Sequence, residues 1–184
     1  MKPSAQDITE ALQDILSRSL QCFAYYYYRT QIHHSAPTTA DFLSLNIASL
    51  ESSLMSMRDL DSFFASKSGR DDDMAAAHYG FPVGKQFLTP EQRNSINTKL
   101  AHLTYISVRE KRQLPPVHYP RTWNYADLVK RAMDRVQEFL DHLETTVFAN
   151  DLNQLQFIGL ARTTIAATLK NINNVAQQEL DFPA

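Results

Sequence analysis

A single cysteine, Cys22, stands in the 184 residues. It excludes an internal disulfide framework and any zinc or iron–sulfur site built from several thiolates. Glycine is almost as scarce, four in all, too few for a β-rich architecture with many tight turns. No apolar run approaches the roughly 18 residues that cross a bilayer. The N-terminal stretch carries Asp7 and Glu10 among its apolar positions and has no cleavage-type site of small residues, so it does not read as a secretory signal. A soluble protein of a reducing, cytoplasmic compartment is the expectation. Also missing are a G-x-S-x-G turn, a phosphate-binding glycine loop and a dinucleotide fingerprint.

What is present is helical periodicity. The hydrophobic share is 43% and the charged share 21%, a globular composition at the length of one domain, 1–184. In 4–30, Ile8, Leu12, Ile15, Ser19, Cys22 and Tyr26 recur at steps of three and four, and Ser4 with Asp7 resembles a capping box. A second helix starts at Asp41 and buries a stripe of Leu43, Ile47, Leu50, Leu54, Met57 and Phe64, interrupted by the polar Asp61. The third, 89–112, opens on Thr89-Pro90-Glu91-Gln92, which puts a hydroxyl at the cap, proline at the first helical position and glutamine where it closes the box. It ends before Pro115-Pro116. The fourth, 123–147, buries Val129, Ala132, Val136, Phe139 and Leu143. The fifth, 151–180, buries Ile158, Ala161, Ile165 and Leu169, although Gly159 weakens its first turns. No segment alternates with period two for long. The pattern predicts an all-α, antiparallel bundle of about five helices.

Two connections exceed ordinary bundle loops. Residues 65–88 are long enough to suggest a functional loop, with one helical turn expected over 73–78. Residues 113–122 are stiffened by proline.

Chemistry is harder to locate. Di-iron bundles need repeated Glu-x-x-His pairs; Glu138 and His142 are spaced i, i+4 with no second pair, and an exposed ion pair on the fourth helix is the simpler expectation. Asp71-Asp72-Asp73 lacks the spaced ligands of a calcium loop. Neither a metal nor a cofactor is expected. Cys22 lies on an apolar stripe, as a core thiol does. Residues 109–135 hold seven basic side chains against three acidic. Either a phosphate-facing patch or a helix end matched to its dipole, followed by a solvated face, accounts for them. Thr98, His102, Tyr105 and Arg109 share one side of the third helix, bordered by Asn97 and Lys99. That side sets an imidazole beside a phenol and a guanidinium, and imidazole titrates near neutrality. A hydrogen-bonded packing role for His102 is the competing reading. The tyrosine run at 25–28 rings one helical turn with aromatics, so at least one ring faces outward, and a homodimer is expected.

The stretch from Leu54 to Arg109, with MRDLDSFF and NTKLAHLTY within it, resembles the HEPN-type helical proteins of prokaryotic toxin, defence and RNA-processing systems. That resemblance implies a HEPN-like bundle that binds or regulates, with a second copy, an antitoxin-type protein or RNA as partner. The alternative that it implies is a metal-independent endoribonuclease in which His102 moves the proton and an arginine steadies the phosphorane. Here Asn97 stands where the family's arginine would stand. Lys99, Arg109 or Arg58 is then the candidate cation, and Lys99, Tyr105, Arg112 and Arg121 are the candidate RNA contacts.

Overall fold

The computed structural model describes residues 5–23, 40–66, 75–84, 86–97 and 124–180. Among the described residues, five α-helices form a helical bundle: α1 (Ala5–Gln21), α2 (Ala40–Ala65), α3 (Pro90–Ile96), α4 (Tyr125–His142) and α5 (Leu152–Leu180). A 3-10 turn, Ala76–Tyr79, precedes α3, and a π turn, Leu143–Val147, closes α4. There is no strand among the described residues. The fold is all-α. No helix among those residues is long and apolar enough to cross a membrane.

Most described positions of the stripes read from periodicity lie in the core, with Leu169 half-buried against it. Leu12, Ile15 and Cys22 of the first segment, Leu50, Leu54, Met57 and Phe64 of α2, Val129, Ala132, Val136 and Phe139 of α4, and Ile158, Ala161 and Ile165 of α5 are all buried. Burying one such side chain contributes about 1.5–3 kcal/mol, so these faces dominate the stability. α1 packs chiefly on α2, while α4 touches α1, α2 and α5.

The helix ends follow the expected rules. The Thr89 hydroxyl accepts from the Gln92 amide at 3.2 Å, and the Gln92 side chain accepts from the Thr89 amide at 2.9 Å. This closes the box that the sequence predicts. Asn124 caps α4 by accepting from the Asp127 amide. Asp151 caps α5 by accepting from the amides of Asn153 and Gln154. The end of α1 is finished from outside: Ser53 of α2 donates to the Gln21 carbonyl at 3.1 Å, and Ser56 donates to the Gln21 side chain at 2.9 Å. An orphan carbonyl is thereby satisfied across a helix interface.

The helical pattern of α4 continues to Val147 but changes pitch. Over Leu143–Val147 the bonds run to the fifth residue. Thr145 and Thr146 turn their hydroxyls back onto the carbonyls of Asp141 and His142 there, the local competition that loosens a helix. α5 runs unbroken through Gly159.

Candidate functional site

A network of polar contacts attaches the segment 75–90 to α2 and α4. Asp61 lies on the buried stripe of α2 with no exposed surface. Its Oδ1 accepts from the backbone amides of Phe87 at 2.8 Å and Leu88 at 3.0 Å. Its Oδ2 accepts from Arg93 Nε at 3.0 Å and Nη2 at 2.6 Å. A carboxylate removed from water is tolerated only when it is paired and hydrogen-bonded in this way.

Two arginines of α4 hold the same segment from the other side. Arg131 donates to the Phe87 carbonyl and sets its Nε 3.0 Å from Asp127. Arg135 donates to the Pro82 carbonyl at 3.0 Å, lies 4.4 Å over the Phe81 ring and pairs with Glu138. Gly84 makes room for this guanidinium: a β-carbon at that position would stand 1.9 Å from Arg135 Nη2 and displace it.

His142 Nε2 lies 2.9 Å from the Tyr79 carbonyl. A carbonyl only accepts, so that nitrogen carries the proton. The expected Glu138–His142 ion pair is therefore absent: Glu138 goes to Arg135, and His142 goes to the chain across the bundle. Periodicity places i and i+4 side by side, but a buried backbone carbonyl within reach outcompetes a solvated partner. The expected helical turn is present as Ala76–Tyr79, with the His78 ring accepting from the Ala75 amide at 3.2 Å. Gly80 ends it at φ +73, the left-handed conformation that glycine adopts without strain. Burial, with Asp7 adding a smaller effect, pushes the Tyr79 phenol up to about 12. Burial first, then the charge of Asp59, pushes the Cys22 thiol well above the ordinary range. That thiol is a protonated core group.

Of the residues that the sequence put forward for chemistry, Arg58 and Asn97 are described. Arg58 sits on α2 in a cleft of about 490 Å³ against α1, lined also by Asp14, Arg18, Asp59 and Ser62. Asp59 receives Arg18 at 2.8 Å and Arg58 at 3.3 Å, so the cleft is charge-matched and latches α1 to α2. Asn97 continues the helical backbone at the end of α3. Its amide oxygen is buried without a hydrogen-bond partner among the described residues. α3 meets α2 through Arg93 and Asp61, whereas Arg58 faces α1; no hydrogen bond or ion pair joins Arg58 to Asn97 among the described residues. His102, Arg109, Lys99, Tyr105, Arg112 and Arg121, and the tyrosines at 25–28, lie outside the described residues.

Within the basic stretch of 109–135, Lys130 is exposed, while Arg131 and Arg135 are drawn onto the 81–88 segment. Sequence reading did not assign them this role. The available signal was the pairing of a long glycine- and proline-bearing loop, whose carbonyls need donors, with arginines one turn apart on a helix. No group of three or more His, Cys, Asp or Glu residues suited to a metal occurs among the described residues. Comparison with protein-family models, with curated proteins and with solved structures finds no match for the chain.

Proposed function

We propose that the protein is a binding or regulatory bundle of the HEPN-like kind, its helices antiparallel, serving a prokaryotic toxin–antitoxin or defence system. The observation that carries the reading is a division of labour among the polar groups. Asp61, Arg93, Arg131, Arg135 and His142 are engaged in holding the loop to the helices, while the exposed positions of α5 over 152–169 are uncharged. A framework held this firmly, with an open and uncharged helix stretch over 152–169, suits recognition of another macromolecule. Asn97 supports the same choice over catalysis, because an amide cannot supply the positive charge that a phosphorane requires.

The test is incubation of the purified chain with single-stranded RNA, with and without EDTA, beside a His102→Ala variant. The expected result is intact RNA in every lane. EDTA-resistant cleavage that disappears in a folded His102→Ala variant would overturn the reading in favour of a metal-independent endoribonuclease using His102.

A further inference from the structure

The cleft between α1 and α2 holds more hydrogen-bond donors than the chain itself uses. A guanidinium carries a fork of five N–H donors and no acceptor. Arg58 engages Nη1 alone, on Asp59 Oδ1 at 3.3 Å, and makes no other hydrogen bond among the described residues. Its side chain is 29% exposed and lines the cleft. Arg18 meets the second oxygen of Asp59 at 2.8 Å. One carboxylate therefore serves two guanidiniums. Asp14 is the other acid of the cleft, 3.8 Å from Arg18 Nε with its side chain 71% exposed, where water and salt screen it. The inner part of the cleft, Arg18, Arg58 and Asp59, is left with one uncompensated positive charge.

Arg58, Ser62 and Ser66 recur every fourth residue and make one line along α2. All three line the cleft. The hydroxyls of Ser62 and Ser66 make no hydrogen bond among the described residues, so they extend the row of open donors. Beside that row the walls are apolar, with Ala11 and Ile15 on α1 and Phe63 on α2. The Phe63 ring is in T-shaped contact with Phe64 and Phe139, at 5.1 and 5.3 Å between centroids, which fixes its orientation. An apolar wall met by a few convergent polar groups, around a space of about 490 Å³, is the make-up of a small-molecule site.

We infer that this cleft binds a small organic carboxylate. The planar carboxylate meets the open fork of Arg58, whose geometry it matches, and Ser62 donates to the same group. The apolar body of the ligand lies against Phe63 and Ile15. A single negative charge neutralises the surplus positive one, whereas a phosphate dianion would leave the cleft negative beside Asp14 and Asp59. The bound molecule touches both helices, so it reinforces the pairing that Arg18 and Asp59 already make. The inference goes beyond the binding-module reading and does not depend on it: the cleft opens between α1 and α2, whereas Asp61 and Arg93 hold the loop and α3.

Benzoate, a planar carboxylate on an apolar ring, is the probe. Titrated into the full chain and followed by amide NMR, it should shift the signals of Ile15, Arg18, Arg58 and Ser62 saturably. A ligand of this size should bind with a Kd of about 0.1–10 mM. Benzyl alcohol, which lacks the charge, should bind about 10-fold or more weakly. Arg58→Gln should weaken benzoate by about 10-fold or more, with helical circular dichroism unchanged. Ser62 is exposed, and Ser62→Trp fills the cleft without removing either partner of the Arg18–Asp59 pair. That variant should fold and fail to bind, and it decides the matter if Arg58→Gln does not fold. No saturable shift up to about 50 mM benzoate, equal binding of benzyl alcohol, or benzoate binding untouched by Ser62→Trp or by a folded Arg58→Gln overturns the inference. Phenyl phosphate binding tighter than benzoate overturns the choice of carboxylate. None of these outcomes bears on RNA cleavage, so this inference and the binding-module reading fail separately.

Discussion

Asp61 and Arg93, thirty-two positions apart, meet through two bonds to one carboxylate oxygen, at 3.0 and 2.6 Å. The other oxygen of Asp61 caps two amides of the incoming chain. One side chain thus fixes both the end of the long loop and the start of α3. Removing it leaves two buried amides without acceptors and the Arg93 guanidinium with only the Leu88 carbonyl, at 3.5 Å, close to the situation in which breaking a buried pair costs about 3–5 kcal/mol. Asp61→Ala should lose that much in urea denaturation. A double-mutant cycle with Arg93→Ala should return a coupling of about 1–3 kcal/mol. Additive losses would show that the pair holds nothing together.

Gly84 and Arg135 form a second such relationship. A β-carbon at 84 collides with the guanidinium, which can move only by leaving the Pro82 carbonyl and the Phe81 ring. The backbone at Gly84 is not left-handed, so alanine there carries no conformational penalty of its own. Gly84→Ala should cost about 1–2 kcal/mol, the worth of one charge-assisted hydrogen bond and a cation–π contact. In an Arg135→Ala background the same substitution should be neutral or slightly stabilising, since alanine restricts the unfolded chain. Thermal unfolding of the four proteins decides it.

These two attachments mark the limit of what the sequence discloses. Periods of three and four name the buried faces of α1, α2, α4 and α5 because a helix buries whatever lies on one stripe. The box at Thr89 names the start of α3 because a cap is a local bond. Asp61 is visible as a polar residue on an apolar stripe, yet its partners lie 26–32 positions away, and no local rule supplies them. The same holds for Arg131, Arg135 and His142. Their spacing on α4 suggests ion pairs along the helix, and only the docking of the 75–90 segment diverts them to its carbonyls. At the candidate site, the grouping of His102 with Tyr105 and Arg109 is an expectation from spacing alone, and these residues lie outside the described ones. Which cation faces that side is a tertiary fact: Arg58 was a candidate by residue type, and it faces α1 and Asp59.

Alkaline conditions should unfold the protein through two buried acids. Both Tyr79 and Cys22 have folded-state values raised above their ordinary ones. The native state therefore holds its protons more tightly than the unfolded chain. That contribution is complete below about pH 8.5 for the thiol and about pH 10 for the phenol. It declines as pH rises above those values, and for Tyr79 the loss extends to about 12. The melting temperature should accordingly fall above about pH 9. Cys22→Ala should flatten the first part of the decline and Tyr79→Phe the second. Identical alkaline slopes in all three proteins would show that other groups govern the transition.

Phe139 is the ring on which the loop and the helices converge. Its centroid lies 5.3 Å from Phe63, 5.8 Å from Phe64, 5.4 Å from Tyr79 and 5.2 Å from Phe81, in each case edge to face. Edge-to-face pairs contribute about 0.5–1.5 kcal/mol beyond the area that they bury. Phe139→Ala should therefore lie in the upper part of the roughly 3–5 kcal/mol that aromatic truncations in a core cost. The consequence should be local as well as global, because Tyr79 and Phe81 belong to the segment 75–84 and lose a shared neighbour. Hydrogen exchange should show the amides of His78, Gly80 and Phe81, which donate to Ala75, Ala77 and Ala76, losing protection before those of α1. Leu128→Ala, an equally buried truncation on α4 outside the aromatic cluster, should lower stability without that selective loss. Uniform loss of protection in both variants would show that the segment opens only with the whole bundle.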